Sequence, residues 1–364
     1  MQIGPSADQL SLRDGVREVL ASDCPLTLDR RVYEDGEAWQ PLWHNIVDLG
    51  WTWLARRGYD DGAEDLGLTT LDLVLTLEAL GSALAPIPFV SSVGMAAGVA
   101  RAGGRATDAL LSAIAGGTVA TLAAHSPTDR LPGATMTLSA GRVRGEAIAV
   151  PDAVNAELLV VLGSDGDDTA MAVVPTAGDG VVIQHVDSAD PARPLATVTV
   201  DAPAELTVPV EIETALGPAL LAIAAELVGV AHAALDIAVE HAKNRHQFDR
   251  PIGSFQAIKH GLADNRVSVE RARSLAYLAA ARVDDESVGP AERWRSCALA
   301  KAAAGDAALA ATRTAVQVLG ALGQTWEHDI HLYLRRAWLG AAQLGDSSSL
   351  YHLEGKRFMA GAGR

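Results

Sequence analysis

The chemistry-bearing residues of this chain concentrate in one stretch, Asn244-Arg-His-Gln-Phe-Asp-Arg-Pro-Ile-Gly-Ser-Phe-Gln256. A long apolar-striped segment ends there in a basic, polar turn. Asp249-Arg250-Pro251 and Gly253 hold that turn, and Ser254 is placed to cap the next helix. An Arg at a helix C-terminus beside an exposed turn suits a phosphate, through charge-assisted hydrogen bonds. Phe248 and Phe255 offer apolar faces to a planar ring system. The plainer alternative is a solvated loop whose Arg offsets the helix dipole. Glu226 interrupts the most apolar part of the chain, where burial raises a carboxyl pKa, unless an Arg pairs with it across the fold. Glu327, His328, Asp329 and His331 have a spacing reminiscent of metal ligands, but mixed charges at a helix start more often cap it, so no metal site is assigned.

Three regions must position these residues. Helical periodicity runs from Ser11 to about Gly117, with Leu73, Leu77, Leu80 and Leu84 on one face and a stop at Pro86 and Pro88. From Thr118 to about Glu211 short β-branched runs alternate with turn chemistry, among them Leu158–Leu162, Met171–Val174, Val181–Val186 and Ala196–Val200. They predict a compact antiparallel β-domain. No βαβ alternation or GxGxxG turn predicts a Rossmann site. From Glu213 the helical period returns, with Leu220, Ile223, Leu227, Val230, Ala234 and Ile237 on one stripe. Helices are expected at roughly Phe255–Val283, Pro290–Leu319 and Trp326–Leu344, together a four-helix bundle. The expectation is an α+β chain with helical domain 1–117, β-domain 118–212 and helical bundle 213–364.

Composition narrows the function classes. Of the 364 residues 49% are hydrophobic and 20% charged, which excludes a disordered chain. A formal net charge of -16, from 45 acidic and 29 basic residues, disfavours nucleic acid and anionic lipid as partners. The apolar run Ala215–Leu235 has membrane-spanning length, but Gly217, Pro218, Glu226 and His232 make it a buried core helix instead. Cys24 and Cys297 have no metal or disulfide spacing. The opening residues lack the zones of a secretory signal, so a reducing cytoplasm is expected.

The order of residues in Arg245-His-Gln-Phe-Asp…Phe255-Gln256 resembles the signature of the acyl-CoA dehydrogenase family, an Arg-x-x-Phe-Gly turn before a Phe-Gln helix start. Asp249 stands where the family has Gly. Gln317-Val-Leu-Gly-Ala-Leu-Gly323 is similar to the family's Gln-x-x-Gly-Gly-x-Gly segment, with Ala321 replacing the second Gly. Trp326-Glu-His-Asp and His331-Leu-Tyr-Leu-Arg-Arg336 resemble a bacterial branch that includes heteromers, and Leu42–Leu54 and Leu77–Pro86 are similar to the family's opening helices. The resemblance implies an FAD-binding oxidoreductase of fatty acid or lipid metabolism that dehydrogenates an acyl-CoA thioester. It implies an oligomer, homomeric or heteromeric, with an electron-transfer flavoprotein as acceptor. It places Arg245, Gln247, Phe248, Ile252, Phe255, Gln256, Gln317, Val318, Gly320 and Ala321 at the flavin, reaching it across subunits.

The resemblance also implies a catalytic carboxylate, which must lie within hydrogen-bond reach of the substrate proton. The family's C-terminal position for it falls on Gly345, and its alternative position falls near Ala219. Neither residue is acidic. Asp346, one residue on, and Glu226 are the carboxylates available as substitutes. The loop after the first strand, Ala124-His-Ser-Pro-Thr-Asp129, likewise departs from the family's Thr-Glu-Pro pattern, leaving His125, Ser126 and Thr128 as donors. An alternative reading follows: a non-catalytic subunit that completes the flavin site of a related chain.

Overall fold

The computed structural model describes residues 4–57, 67–166 and 168–362. The chain opens with helices α1 (Ala7–Asp23), α2 (Leu26–Val32) and α3 (Gln40–Asp48), followed by α4 (Thr70–Ser82). A capping box starts α4: the Thr69 amide donates to Asp72 at 2.8 Å. Residues 70–81 are all buried, so its leucines form a helix buried on every side, where a single stripe was expected. Pro86 and Pro88 follow its end. After a π-helical stretch, Val90–Ala96, short α5 (Ala97–Ala100) and α6 (Asp108–Ala115) complete the first helical part.

The middle of the chain supplies β1 (Ala120–Ala123), β2 (Met136–Ser139), β3 (Arg142–Pro151), β4 (Leu158–Asp165), β5 (Asp168–Pro175), β6 (Val181–Val186), β7 (Leu195–Pro203) and β8 (Leu206–Pro209). Among the described residues they make one sheet in the order β6-β7-β3-β2-β4-β5-β8, with β1 beside β4. The sheet is mixed, which corrects the antiparallel expectation: β1 and β2 both pair parallel to β4. Parallel pairing needs the chain to cross over between strands. Here the crossing from β1 to β4 runs through the β2–β3 hairpin instead of a helix, which leaves no βα turn for a dinucleotide. Strands β2 and β3 carry Arg, Gly, Glu and Thr on their outer faces, which hid them from a search for apolar runs.

Helices return with α7 (Ile212–Asn244). Then come a two-residue hairpin, β9 (His246–Gln247) with β10 (Arg250–Pro251), and α8 (Gln256–Asp284), α9 (Pro290–Leu319), α10 (Ile330–Ala342) and α11 (Ser347–Ala362). Glu211 starts α7 by accepting the amides of Glu213 and Thr214 at 3.1 and 2.7 Å. Its length and hydropathy would suffice to cross a membrane, yet 78% of its most apolar window is buried inside the protein. Against it pack α9, α8, α10 and, from the first helical part, α4. The bundle is therefore shared: one apolar core runs from Val16 to Leu350 through both helical parts, and a second lies inside the sheet. Each large aliphatic side chain buried there contributes about 1.5–3 kcal/mol, so the two helical parts stabilise each other. Helix α11 was not anticipated, because Tyr351, Phe358 and Met359 are exposed and blur its period.

Candidate functional site

Helix α7 ends where the sequence placed its stop. The Arg245 amide donates to the His241 carbonyl, and the Ile252 amide donates back to the Arg245 carbonyl, both at 2.8 Å. Between them the hairpin turns through Phe248 and Asp249 at φ 55° and 59°. Two left-handed residues in a two-residue loop match the twist of the flanking strands. That conformation suits glycine, and Asp tolerates it better than most residues, which explains how Asp249 fills the family's Gly position. Phe248 is 85% exposed. Its ring lies 6.0 Å from that of Phe255 at 83°, and the Arg250 guanidinium sits 4.1 Å from the Phe255 centroid. One face of Phe255 is thus covered by Arg250, leaving Phe248 as the free aromatic. Gln247 donates to the His246 carbonyl at 2.9 Å, and Ile252 is buried as the anchor of the turn. Phe255, not Ser254, occupies the N-cap position of α8, because Ile252–Ser254 forms a helical turn of its own. The Ser254 hydroxyl has no hydrogen-bond partner among the described residues.

Arg245 and Gln256 project from the surface beside this turn. Gln317, Gly320 and Ala321 are exposed too, and Val318 is half-buried. Helices α8 and α9 run antiparallel, pinned by Asn265 donating to the Thr314 hydroxyl at 2.9 Å. From that contact Gln256 and Gly323 lie in the same direction, each ~13 Å along its helix or turn at about 1.5 Å per residue. His241 feels the charges of both Arg245 and His328, which brings the end of α7 to the same place. The two signature stretches therefore meet at one open end of the bundle. Gly320 has φ 64° and ψ -135°, a region nearly closed to side chains, and nothing lies within 4 Å of where its Cβ would stand. An exposed guanidinium, side-chain amides and an open glycine backbone form a donor set that fits a pyrophosphate-bearing dinucleotide.

The two candidate bases lie elsewhere. Asp346 caps α11: its Oδ1 accepts the Ser349 amide at 2.7 Å. That hydrogen bond, helped by the charges of Lys301 and Arg130, holds its carboxyl below the usual range. Glu226 is buried and its Oε1 accepts from Arg193 and, at 3.2 Å, from Arg336. Both carboxylates are thus tied to partners. Gly345 adopts φ 98°, and a Cβ there would stand 2.8 Å from Leu131 Cδ2. A side chain at position 345 would displace the Leu131 terminal methyl of the loop after β1 and would start from a backbone conformation that strains any residue but glycine.

Other buried charges escaped the sequence reading. Lys301 is fully buried in α9. Its Nζ donates to the Gly345 carbonyl and, at 2.7 Å, to that of Ala341, and burial pushes its pKa down to about 7. It locks the α10–α11 turn, including Leu344 at φ 53°. Lys301 precedes Gln317 by ~24 Å along α9, at about 1.5 Å per residue. The Gly345 turn and the Arg245 end therefore do not serve one site within the chain. Arg336 is surrounded by Asp29, Asp190 and Glu226, drawn from α2, the β6–β7 loop and α7. A lone Lys among alanines and a lone Arg after Leu-Tyr-Leu-Arg were the only signals for these two. In the Trp326–His331 segment, His328 Nδ1 accepts the Ile330 amide at 3.0 Å, Asp329 pairs with Arg30, and His331 stacks on Trp326 at 4.6 Å. These are capping and stacking roles. His125 is half-buried, with its pKa lowered by burial, and Ser126 and Thr128 bond to each other at 2.9 Å.

Comparison with known proteins places this geometry. The profile of the acyl-CoA dehydrogenase C-terminal domain matches residues 211–350. Acyl-CoA dehydrogenase IpdE2 of Mycolicibacterium smegmatis is 33% identical over 275 residues, 75% of this chain and 74% of that one. Acyl-CoA dehydrogenase FadE34 of Mycobacterium tuberculosis is 35% identical over 84% of this chain, but the match spans only 40% of its own length. In structure, a chain of the ChsE4-ChsE5 complex of Mycobacterium tuberculosis superimposes with TM-score 0.86 at 24% identity, covering 99% of both chains. Butyryl-CoA dehydrogenase of Megasphaera elsdenii gives 0.83 at 20% identity, over 99% and 100%.

Proposed function

The chain belongs to the acyl-CoA dehydrogenase family, and from that premise we propose that it is a subunit of a heteromeric, FAD-dependent acyl-CoA dehydrogenase. It completes the flavin site of a partner chain and supplies no catalytic base of its own. The observation that carries this reading is the α10–α11 turn. At the family's base position stands Gly345, packed under Leu131, and the adjacent Asp346 is used as a helix cap. Glu226, the other candidate, is held by two guanidiniums. A general base needs a free carboxylate within hydrogen-bond reach of the proton, and neither group offers one.

The opposite end of the bundle supports the positive half of the proposal. Arg245, Gln256, Gln317 and the Gly320 backbone are exposed and converge there, in position to hold a dinucleotide bound mainly by another chain. Arg245 would pair with the pyrophosphate, Gly320 would let it approach the backbone, and Phe248 would cover a ring. FAD bound there would accept a hydride from the β carbon of the acyl thioester while the partner's base takes the α proton. We assign the electron acceptor as an electron-transfer flavoprotein and the compartment as a reducing cytoplasm, in keeping with two free, buried thiols.

The test is co-expression of the tagged chain with acyl-CoA dehydrogenase chains that carry a glutamate at the base position. A complex that retains flavin and turns over an acyl-CoA is expected, and Arg245→Ala in this chain should lower its flavin content at least several-fold. A complex with undiminished flavin would remove Arg245 and its turn from the site.

A further inference from the structure

The hairpin between α7 and α8 is too short to hold its own tip. Its strands, His246–Gln247 and Arg250–Pro251, pair over two residues each, and a lone hairpin is marginally stable at best. Phe248 at the tip is 85% exposed and adopts φ 55°, a conformation that strains a bulky residue. Contacts outside the two strands therefore fix where its ring points.

Those contacts converge on Phe255, at the start of α8. Its ring stands 6.0 Å from that of Phe248 at 83°, the edge-on arrangement that aromatic quadrupoles favour. The Arg250 guanidinium lies 4.1 Å from the Phe255 centroid, well inside the ~6 Å over which a cation is attracted to a ring face. Arg250 is exposed and directly follows Asp249, yet among the described residues it forms no ion pair. Its guanidinium is committed to the ring instead. Phe255 is also the N-cap residue of α8, and its amide donates to the Ile252 carbonyl at 3.1 Å. Its backbone is thus fixed by the helix start while its side chain is held by Arg250 and Phe248. One ring links the hairpin tip, the return strand and the helix.

We propose that Arg250 is a positioning residue of this turn: seated on Phe255, it fixes that ring and, through it, the orientation in which Phe248 meets the flavin. The inference rests on the reading of the turn as a flavin contact. Arg245, the phosphate partner in that reading, acts on the ligand directly, whereas Arg250 acts only through the two rings.

Two measurements test it. In the full chain without flavin, ring-labelled phenylalanine gives four side chains to resolve by NMR, and Phe248→Ala and Phe255→Leu assign two of them. Arg250→Ala should shift the ring resonances of both Phe255 and Phe248 and leave those of Phe89 and Phe358 in place. A Phe248 ring that does not move would overturn the proposal. In the heteromer, stripped of flavin and titrated with FAD, Phe248→Ala and Arg250→Ala in this chain should each weaken binding about threefold or more. In the Phe248→Ala background, Arg250→Ala should add less than about 1.5-fold, because the ring it positions is gone. Added salt should weaken FAD equally in the parent and in Arg250→Ala, and less in Arg245→Ala, which has lost a phosphate contact. Arg250→Lys, which keeps a cation over the ring, should recover part of the affinity. An undiminished loss in the Phe248→Ala background, with a weaker salt dependence, would make Arg250 a phosphate ligand and overturn the proposal. FAD affinity unchanged by both Phe248→Ala and Arg245→Ala would instead remove the flavin reading of the turn itself.

Discussion

Arg336→Met should destabilise the protein more than almost any other single substitution, and by an amount that depends on pH. Arg336 is the cation among Asp29, Asp190 and Glu226, all buried, and these carboxylates come from three separate parts of the chain. Met fills nearly the same volume but returns no charge. Removing one partner of a buried ion pair costs about 3–5 kcal/mol, a large share of the ~5–15 kcal/mol by which a domain is stable. At about 2.1 cal/mol/K per residue, unfolding 364 residues carries an entropy of ~0.76 kcal/mol/K. The loss therefore corresponds to a Tm drop of ~4–7 °C. Asp29 sets the pH dependence. Burial raises its pKa to about 7 although Arg336 pulls it down and Asp190 pushes it up again. Without Arg336 the carboxyl rises further, so the variant takes up a proton that the parent does not. Protonation relieves the uncompensated charge, so the Tm difference should shrink towards pH 5 and reach its full size at pH 8. Differential scanning fluorimetry of both proteins across that range measures it. A Tm difference under 1 °C at pH 8, or one that grows on acidification, would refute the reasoning.

Three further predictions concern the same network and the two ends of the bundle. Asp29 has a folded pKa above its unfolded value of 3.8, so its contribution is complete below that value and is lost as pH rises through about 7; Asp29→Asn should flatten the fall in Tm across this window, as seen by the same thermal scan. Gly320→Ala places a Cβ on a backbone at φ 64° and ψ -135°, costing ~1–3 kcal/mol of local strain, and should lower flavin retention in the heteromer while leaving Arg336 contacts untouched; absorbance of the purified complex reads it. Gly345→Glu should not create a dehydrogenase, because the new side chain would start from a backbone strained at φ 98° and push against Leu131 Cδ2, 2.8 Å from its Cβ; a stopped-flow assay showing flavin reduction by this variant alone would show that only the carboxylate was lacking.

How much of this was legible beforehand depended on whether a feature had a local signature. Helix α9 was placed residue for residue, because Pro290 opens it and Gly320 closes it. The Arg245 turn was legible because its chemistry and its φ requirements sit in consecutive residues. The pairing of β1 with β4 was not, since nothing in a parallel ladder marks its partner, and β2 and β3 were hidden by polar outward faces. The Arg336 cluster was illegible for a different reason: Asp29, Asp190, Glu226 and Arg336 are each unremarkable where they stand, and only tertiary packing brings them together. Glu226 shows the consequence. A carboxylate inside an apolar helix reads as a base or, rather more readily, as an ion-pair partner, and Arg193, reached through the β6–β7 loop, favours the second.

The measurement that bears most directly on the account is an anaerobic titration of the chain on its own, reconstituted with FAD, against a panel of acyl-CoA thioesters. If the chain holds part of a flavin site but no base, the visible flavin band will stay oxidised with every thioester, and adding a glutamate-bearing partner chain will bleach it. Bleaching by the chain alone would contradict the account, and would show that a carboxylate other than one at position 345 removes the proton.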